Sequence, residues 1–137
     1  MCYFNTLVIK KYPEEIQNHV LITSFLNSTW LYSKSDNFQS LNEDEKNILK
    51  TIRNSLCDKS YGDVEKAFMP CWLLLGRNFR SFIEAVFIYT RSNNKDEGKK
   101  YSDIILFQVR KIFKDRSEEE FFELLKSFID YIIVMKM

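Results

Sequence analysis

The segment Met69–Arg91, MPCWLLLGRNFRSFIEAVFIYTR, places the tightest constraint on the fold of this chain. Fourteen of its 23 residues are apolar, with one Gly-Arg pair, Gly76-Arg77, near its start. A helix that is apolar around most of its circumference belongs in the centre of a bundle. Pro70 suits the first turn of such a helix, because its missing N–H has no intrahelical partner there. The charged residues Arg77, Arg80, Glu84 and Arg91 recur at spacings of three, four and seven, which gathers them on one stripe. That stripe must face solvent, a partner or a groove.

The rest of the chain supports a bundle of helices. Its 137 residues suit one domain able to bury a core without staples. Three Gly and two Pro leave little punctuation, so long regular elements with short connections are expected. Twelve Phe and an apolar content of 45% exclude disorder. An all-α fold follows. The net charge is +1, from 20 basic and 19 acidic residues, which builds no field for sequence-independent nucleic-acid binding. Cys2, Cys57 and Cys71 lack paired spacing, and with His19 as the single histidine they make no zinc set. Free thiols in a reducing compartment, no bound metal and no cofactor are expected. Neither MCYFNTLVIKKYP at the start nor FIDYIIVMKM at the end has signal-peptide form or the ~20 apolar residues that span a bilayer. A soluble, cytoplasmic protein is the expectation.

Helix signals divide the chain further. Pro13, Glu14 and Glu15 open a first helix running to about Tyr32, with Ile16, Val20, Ile22 or Thr23, Leu26 and Trp30 near one face. Ser33–Gln39 reads as a loop. Asn42-x-x-Glu45 has the form of a capping box for a second helix carrying Ile48, Leu49, Ile52 and Leu56. Tyr61-Gly62-Asp63 suggests a turn, with Asp63 capping a short third helix that ends near Phe68. Arg91–Lys100 is polar enough to be a solvated loop, followed by a helix over Tyr101–Lys114. Ser117-x-x-Glu120 is a second capping box and opens the last helix, with Phe121, Leu125, Phe128 and Ile132 as its apolar positions. The first ten residues carry no decisive signal.

Enzymatic chemistry finds no support. His19 stands far in sequence from any nucleophile, and phosphate loops, nucleophile elbows and metal-binding helix motifs are absent. Glu118-Glu119-Glu120 is explained by the helix N-terminus it complements. Arg110, Lys111, Lys114 and Arg116, preceded by Lys99 and Lys100, form a basic cluster with acids interleaved, as on a solvated helix face. Phe82, Phe107, Phe113, Phe121 and Phe128 sit at core spacing rather than on a stacking platform. Gly76 is different. Inside a helix it costs about 1 kcal/mol relative to Ala, which close packing against a neighbouring backbone would justify. Arg77 beside it offers a guanidinium fork to a carboxylate, while Arg80 with Glu84 suits an ordinary i,i+4 pair.

These residues resemble the Bcl-2 apoptosis regulators. Asp63-Val-Glu-Lys-Ala-Phe68, then Leu75-Gly76-Arg77 and Phe82-Ile83-Glu84, are similar to that family's first homology region, where a short helix ending in Phe leads into Asn-Trp-Gly-Arg. Tyr101-Ser-Asp-Ile-Ile-Leu-Phe107 resembles the next central helix, and Ser117–Leu125 the second homology region. Leu74 and Leu75 stand where the family has Asn and Trp, and the second region lacks its Gly-Gly-Trp. Small size and divergence look most like the viral members.

The resemblance implies a Bcl-2-like bundle around a central buried helix. It implies an inhibitor of apoptosis that binds the BH-3 helix of pro-apoptotic relatives in a surface groove. The family's motif arginine, which pairs with the ligand's aspartate, corresponds to Arg77 beside Gly76. Ile52, Leu56, Phe68 and Leu73 are the candidate groove walls by position. Exposed groove residues would favour a homodimer. Two other readings stand beside this one: a groove-less relative that blocks innate immune signalling through flat helical surfaces, and a small helical RNA-binding subunit using Lys99–Arg116.

Overall fold

The computed structural model of the protein describes residues 14–35 and 41–136, with side chains for all of these except 14–19, 70, 128 and 131–136. Expectations that rest on residues 1–12, Pro13, Ile16, His19, Phe128 and Ile132 therefore lie outside the described residues or side chains. Among the described residues, six helices of eight residues or more run in chain order: α1 Glu14–Ser33, α2 Glu43–Leu56, α3 Tyr61–Phe68, α4 Phe79–Arg91, α5 Lys95–Lys114 and α6 Glu118–Lys136. No strand occurs among the described residues. The chain is all-α.

The two capping boxes form as their spacing requires. The backbone N–H of Glu45 donates to Asn42 Oδ1 at 2.8 Å, and Glu45 Oε1 accepts from the Asn42 backbone at 3.4 Å. At α6, the Glu120 N–H donates to Ser117 Oγ at 3.1 Å and the Ser117 N–H to Glu120 Oε1 at 3.2 Å. Each box satisfies donors that a helix start would otherwise leave without partners.

Three boundaries differ from expectation. Ser60, not Asp63, caps α3; its Oγ accepts from the Asp63 N–H at 3.2 Å, so the expected turn at Tyr61-Gly62-Asp63 is the helix's first turn. The stretch read as a loop to Lys100 is largely helix, because Asn94 Oδ1 accepts from the Asp96 and Glu97 N–H groups and starts α5 at Lys95. Two acids in that first turn complement the helix N-terminus, which outweighs the segment's polarity. The long apolar helix is interrupted. Residues 69–78 form a 3₁₀ turn (Met69–Cys71), a single α-turn (Trp72–Leu75) and a second 3₁₀ turn (Gly76–Asn78), and only then does α4 begin.

Packing follows the apolar faces. α1 lies against α2, α3, α5 and α6, while α4 packs on α5 and also meets α2 and α3. α4 buries Phe79, Phe82, Ile83, Ala85 and Val86 and turns Arg80, Ser81 and Glu84 to solvent, so the helix itself is amphipathic rather than enclosed. Trp30 of α1 stacks on Phe121 of α6 at 4.7 Å between ring centroids, and Phe113 of α5 meets both rings edge-on. This aromatic trio fastens α6 to the bundle. Lys34, just past α1, donates to the carbonyls of Phe113 (2.9 Å) and Arg116 (2.6 Å), satisfying the end of α5 while its ammonium lies 4.1 Å from the Trp30 ring.

Arg110 departs most from its expected place. Its position in a basic cluster suggested a solvated face, yet it is 2% exposed and forms an ion pair with Glu45, which is 0% exposed. Glu45 Oε2 also accepts from Thr29 Oγ1 at 3.0 Å, and the Arg110 guanidinium lies 4.8 Å from the Tyr32 ring. The capping glutamate of α2 thus also ties α2 to α1 and α5. Phe107, expected in the core, is 56% exposed. On α5 the inward row is Ser102, Ile105, Leu106, Val109, Arg110 and Phe113, and Phe107 falls on the opposite side.

Candidate functional site

The segment between α3 and α4 presents the charge and the apolar surface expected of a partner site. Gly76 has φ 53° and ψ −121°, a left-handed conformation that side chains rarely tolerate. Its N–H donates to the Trp72 carbonyl and closes the single α-turn; the Phe79 N–H donates to the Gly76 carbonyl and opens the next helix. A Cβ built on Gly76 would meet nothing within 4 Å. The glycine is thus required by backbone conformation at a break in the helix, not by close approach of a neighbouring backbone, which corrects the reading of it as a mid-helix packing residue.

This break sorts the segment into two sides. Cys71, Leu74, Leu75 and Phe79 are buried, while Trp72, Leu73, Gly76 and Arg77 face outward. Leu73 is 56% exposed. Burial pushes the Cys71 thiol well above its ordinary range, so it stays protonated and acts as a small apolar group. Arg77, Arg80 and Glu84 are exposed, and no ion pair joins any of them to another described residue. The expected Arg80–Glu84 pair does not form. Arg91, at the end of the same stripe, folds back over the Phe87 ring at 3.8 Å.

Beside this segment runs α6. Leu73, Leu74 and Cys71 line a small apolar cleft of about 20 Å³ with Leu124 and Leu125, closed beneath by Leu26, Phe113 and Phe121. Phe122 and Ile129 of α6 are exposed, three residues before and four after the half-buried Leu125. Spacing of three and four keeps these residues on one side of the helix.

The six residues expected to bind a ligand helix therefore divide. Gly76, Arg77 and Leu73 are exposed at the break. Ile52, Leu56 and Phe68 are in the core, with the Phe68 ring 5.5 Å from Phe82, and contribute no surface as folded. The large apolar residues exposed besides Leu73, among the described residues, are Leu31, Tyr61, Phe107, Trp72, Phe122 and Ile129, and the last three lie on the 72–77 segment or on α6. No motif marks those three, because an exposed apolar residue on a helix reads the same as a core residue until the neighbours are known. The basic cluster considered for RNA also changes: Arg110 is neutralised inside by Glu45, and Lys99 pairs with Asp103 at 3.6 Å.

Among the described residues no group of three His, Cys, Asp or Glu side chains is placed to hold a metal ion, and no helix is long and apolar enough to cross a membrane. Comparison with known protein families, curated proteins and solved structures finds no match to this chain.

Proposed function

We propose that this chain is a Bcl-2-like inhibitor of cell death that sequesters the BH-3 helix of pro-apoptotic partners, acting in the cytoplasm of a host cell without catalysis. One observation carries the reading. Arg77, an exposed arginine with no ion-pair partner among the described residues, follows closely on an exposed apolar pair, Trp72-Leu73, and Leu73 shares a cleft with Leu125 of α6. An amphipathic helix is recognised through apolar anchors at i, i+3 or i+4 and i+7, with charge fixing its register. Trp72, Leu73, Phe122, Leu125 and Ile129 supply apolar surface of the required kind, and Arg77 supplies the fork for a ligand carboxylate. The docking surface in this reading lies between the 72–77 segment and α6, displaced from the α2–α3 walls that the sequence suggested.

A second reading has its own observation. Ile52, Leu56 and Phe68 are used within the core, so they form no groove wall, as in a Bcl-2-fold inhibitor of innate immune signalling that works through flat helical faces.

Fluorescence anisotropy with a panel of BH-3 peptides separates the two. Submicromolar binding to at least one peptide, weakened by about 1.5–3 kcal/mol in Arg77→Ala, is expected for a charged hydrogen bond to the ligand. Absence of binding to every peptide by the folded protein would overturn the death-helix reading in favour of the second. Equal affinity of wild type and a folded Arg77→Ala variant would remove Arg77 from the site.

A further inference from the structure

The outward face of α5 carries a second surface, separate from the proposed helix-binding site. Lys99, Asp103, Phe107, Lys111 and Asp115 recur at intervals of four, and all five are exposed. Residues four apart form one continuous ridge on a helix. The order along the ridge is basic, acidic, aromatic, basic, acidic, with Phe107 at its midpoint. Turning such a ridge end for end about Phe107 places Asp103, which within one chain lies 3.6 Å from Lys99, against Lys111, and repeats that pairing on the other side. A pattern that becomes its own complement on reversal is what a two-fold interface between identical chains requires.

The surroundings of Phe107 suit the same occupant. A recess of about 700 Å³ lies along the ridge, lined by Asn78, Asp103, Ile104, Phe107, Gln108 and Lys111 among others. It offers a second aromatic ring a place beside the first. Gln108, in this wall, is held by its Nε2, which donates to Ser81 Oγ at 3.1 Å. The neighbouring lysines decide the crossing angle. Lys100 and Lys114 lie seven residues either side of Phe107, so a shallow coiled-coil crossing would oppose them as like charges across the seam. Packing the i±4 ridges into each other at about −50° separates them and brings Asp103 to Lys111.

We propose that the chain forms a two-fold dimer through antiparallel packing of α5 on α5, with Phe107 of the two copies in contact at the centre and Asp103–Lys111 pairs on both flanks. Each charge pair is exposed and contributes little alone, but the symmetry doubles each of them, and reversing one charge turns two attractions into two repulsions. The pairs set register and exclude other partners; the ring contact and the filled recess supply the apolar burial.

Sedimentation equilibrium tests the proposal, with loading from about 1 to 500 µM to cover micromolar dissociation constants. The wild-type mass should rise from 16.5 kDa to twice that value with concentration. Asp103→Lys and Lys111→Asp should each weaken association about tenfold or more, because each opposes like charges at two places. An equimolar mixture of these two variants should regain it. In the mixed dimer the lysine pair of one variant, at positions 103 and 111, faces the aspartate pair of the other on both flanks. The double variant Asp103→Lys/Lys111→Asp should also regain association alone. Phe107→Ser should abolish it. All three positions are exposed, so thermal midpoints should match wild type, and rescue by mixing excludes misfolding as the cause of loss. A wild-type protein that stays monomeric at the highest loading, or association that the three single substitutions leave unchanged, or a mixture that does not recover, overturns the proposal.

Discussion

Arg110 of α5 and Glu45 of α2, 65 residues apart in sequence, form an ion pair that is almost wholly removed from solvent. Glu45 is at the same time the reciprocal residue of the α2 capping box and the acceptor for Thr29 of α1. One carboxylate therefore fixes the start of α2 and its position against two other helices. Removing either partner would strand the other charge in the core. Glu45→Ala and Arg110→Ala should each lower the unfolding free energy by about 3–5 kcal/mol in urea titrations. The paired replacement Glu45→Ala/Arg110→Ala should cost less than the sum of the singles; strictly additive losses would show that the two groups are not coupled.

Gly76 should be intolerant of any side chain, and for a backbone reason. With φ at 53° and no atom within 4 Å of a built Cβ, Gly76→Ala and Gly76→Leu meet the same backbone strain, and the Cβ of each meets no steric obstacle. Both should lower stability by about 1–3 kcal/mol and by nearly equal amounts in thermal unfolding. A loss that grows steeply from Ala to Leu would point to overpacking instead.

Surface and core roles separate by which measurement a substitution moves. Phe68→Ala should cost about 3–5 kcal/mol of stability, as for a buried aromatic. Leu73→Ser and Phe122→Ser should leave stability within about 0.5 kcal/mol, as exposed positions do, yet abolish binding of a BH-3 peptide. Retained peptide affinity in both serine variants would take this surface out of the proposed function.

The Glu120 carboxyl is held below its ordinary value, first by the hydrogen bond from the Ser117 backbone, then by the Ser117 side chain, with Arg116 and Lys34 adding smaller contributions. A carboxyl whose folded pKa is depressed contributes stability above its unfolded pKa and loses it as pH falls through the folded value. The α6 start should therefore weaken only on acidification below the ordinary value of 4.5. Carboxyl carbon shifts followed by NMR should give a Glu120 midpoint below that value, moved upward in Ser117→Ala. Equal midpoints in both proteins would exclude the Ser117 hydroxyl as a cause and leave its backbone N–H.

The sequence was most informative where physics is local. Asn42-x-x-Glu45 and Ser117-x-x-Glu120 cap the helices they announce, because a capping box is satisfied within four residues. The rows Ile22–Leu26–Trp30 and Leu49–Ile52–Leu56 point inward because helical periodicity alone gathers them on one side. Asn94 with Asp96 and Glu97 is an equally local signal, masked by the polarity of the surrounding stretch.

The candidate site was legible only in part. A Gly-Arg pair inside an apolar run locates Arg77 and Leu73, but not whether Gly76 sits within a helix or breaks one; the choice depends on how the flanking 3₁₀ turns fit α1, α5 and α6. Exposure of Phe107, Phe122 and Trp72, and burial of Ile52, Leu56 and Phe68, were equally undetermined, since all are apolar residues at helical spacing. By itself the sequence determined an all-helical chain, its two capping boxes and most of its inward faces, because those depend on contacts within a turn or two. Only the tertiary structure decided that Arg110 would be buried against Glu45, that Phe107 would be left outside, and which apolar residues form a surface, because each of these depends on which face of one helix another helix covers.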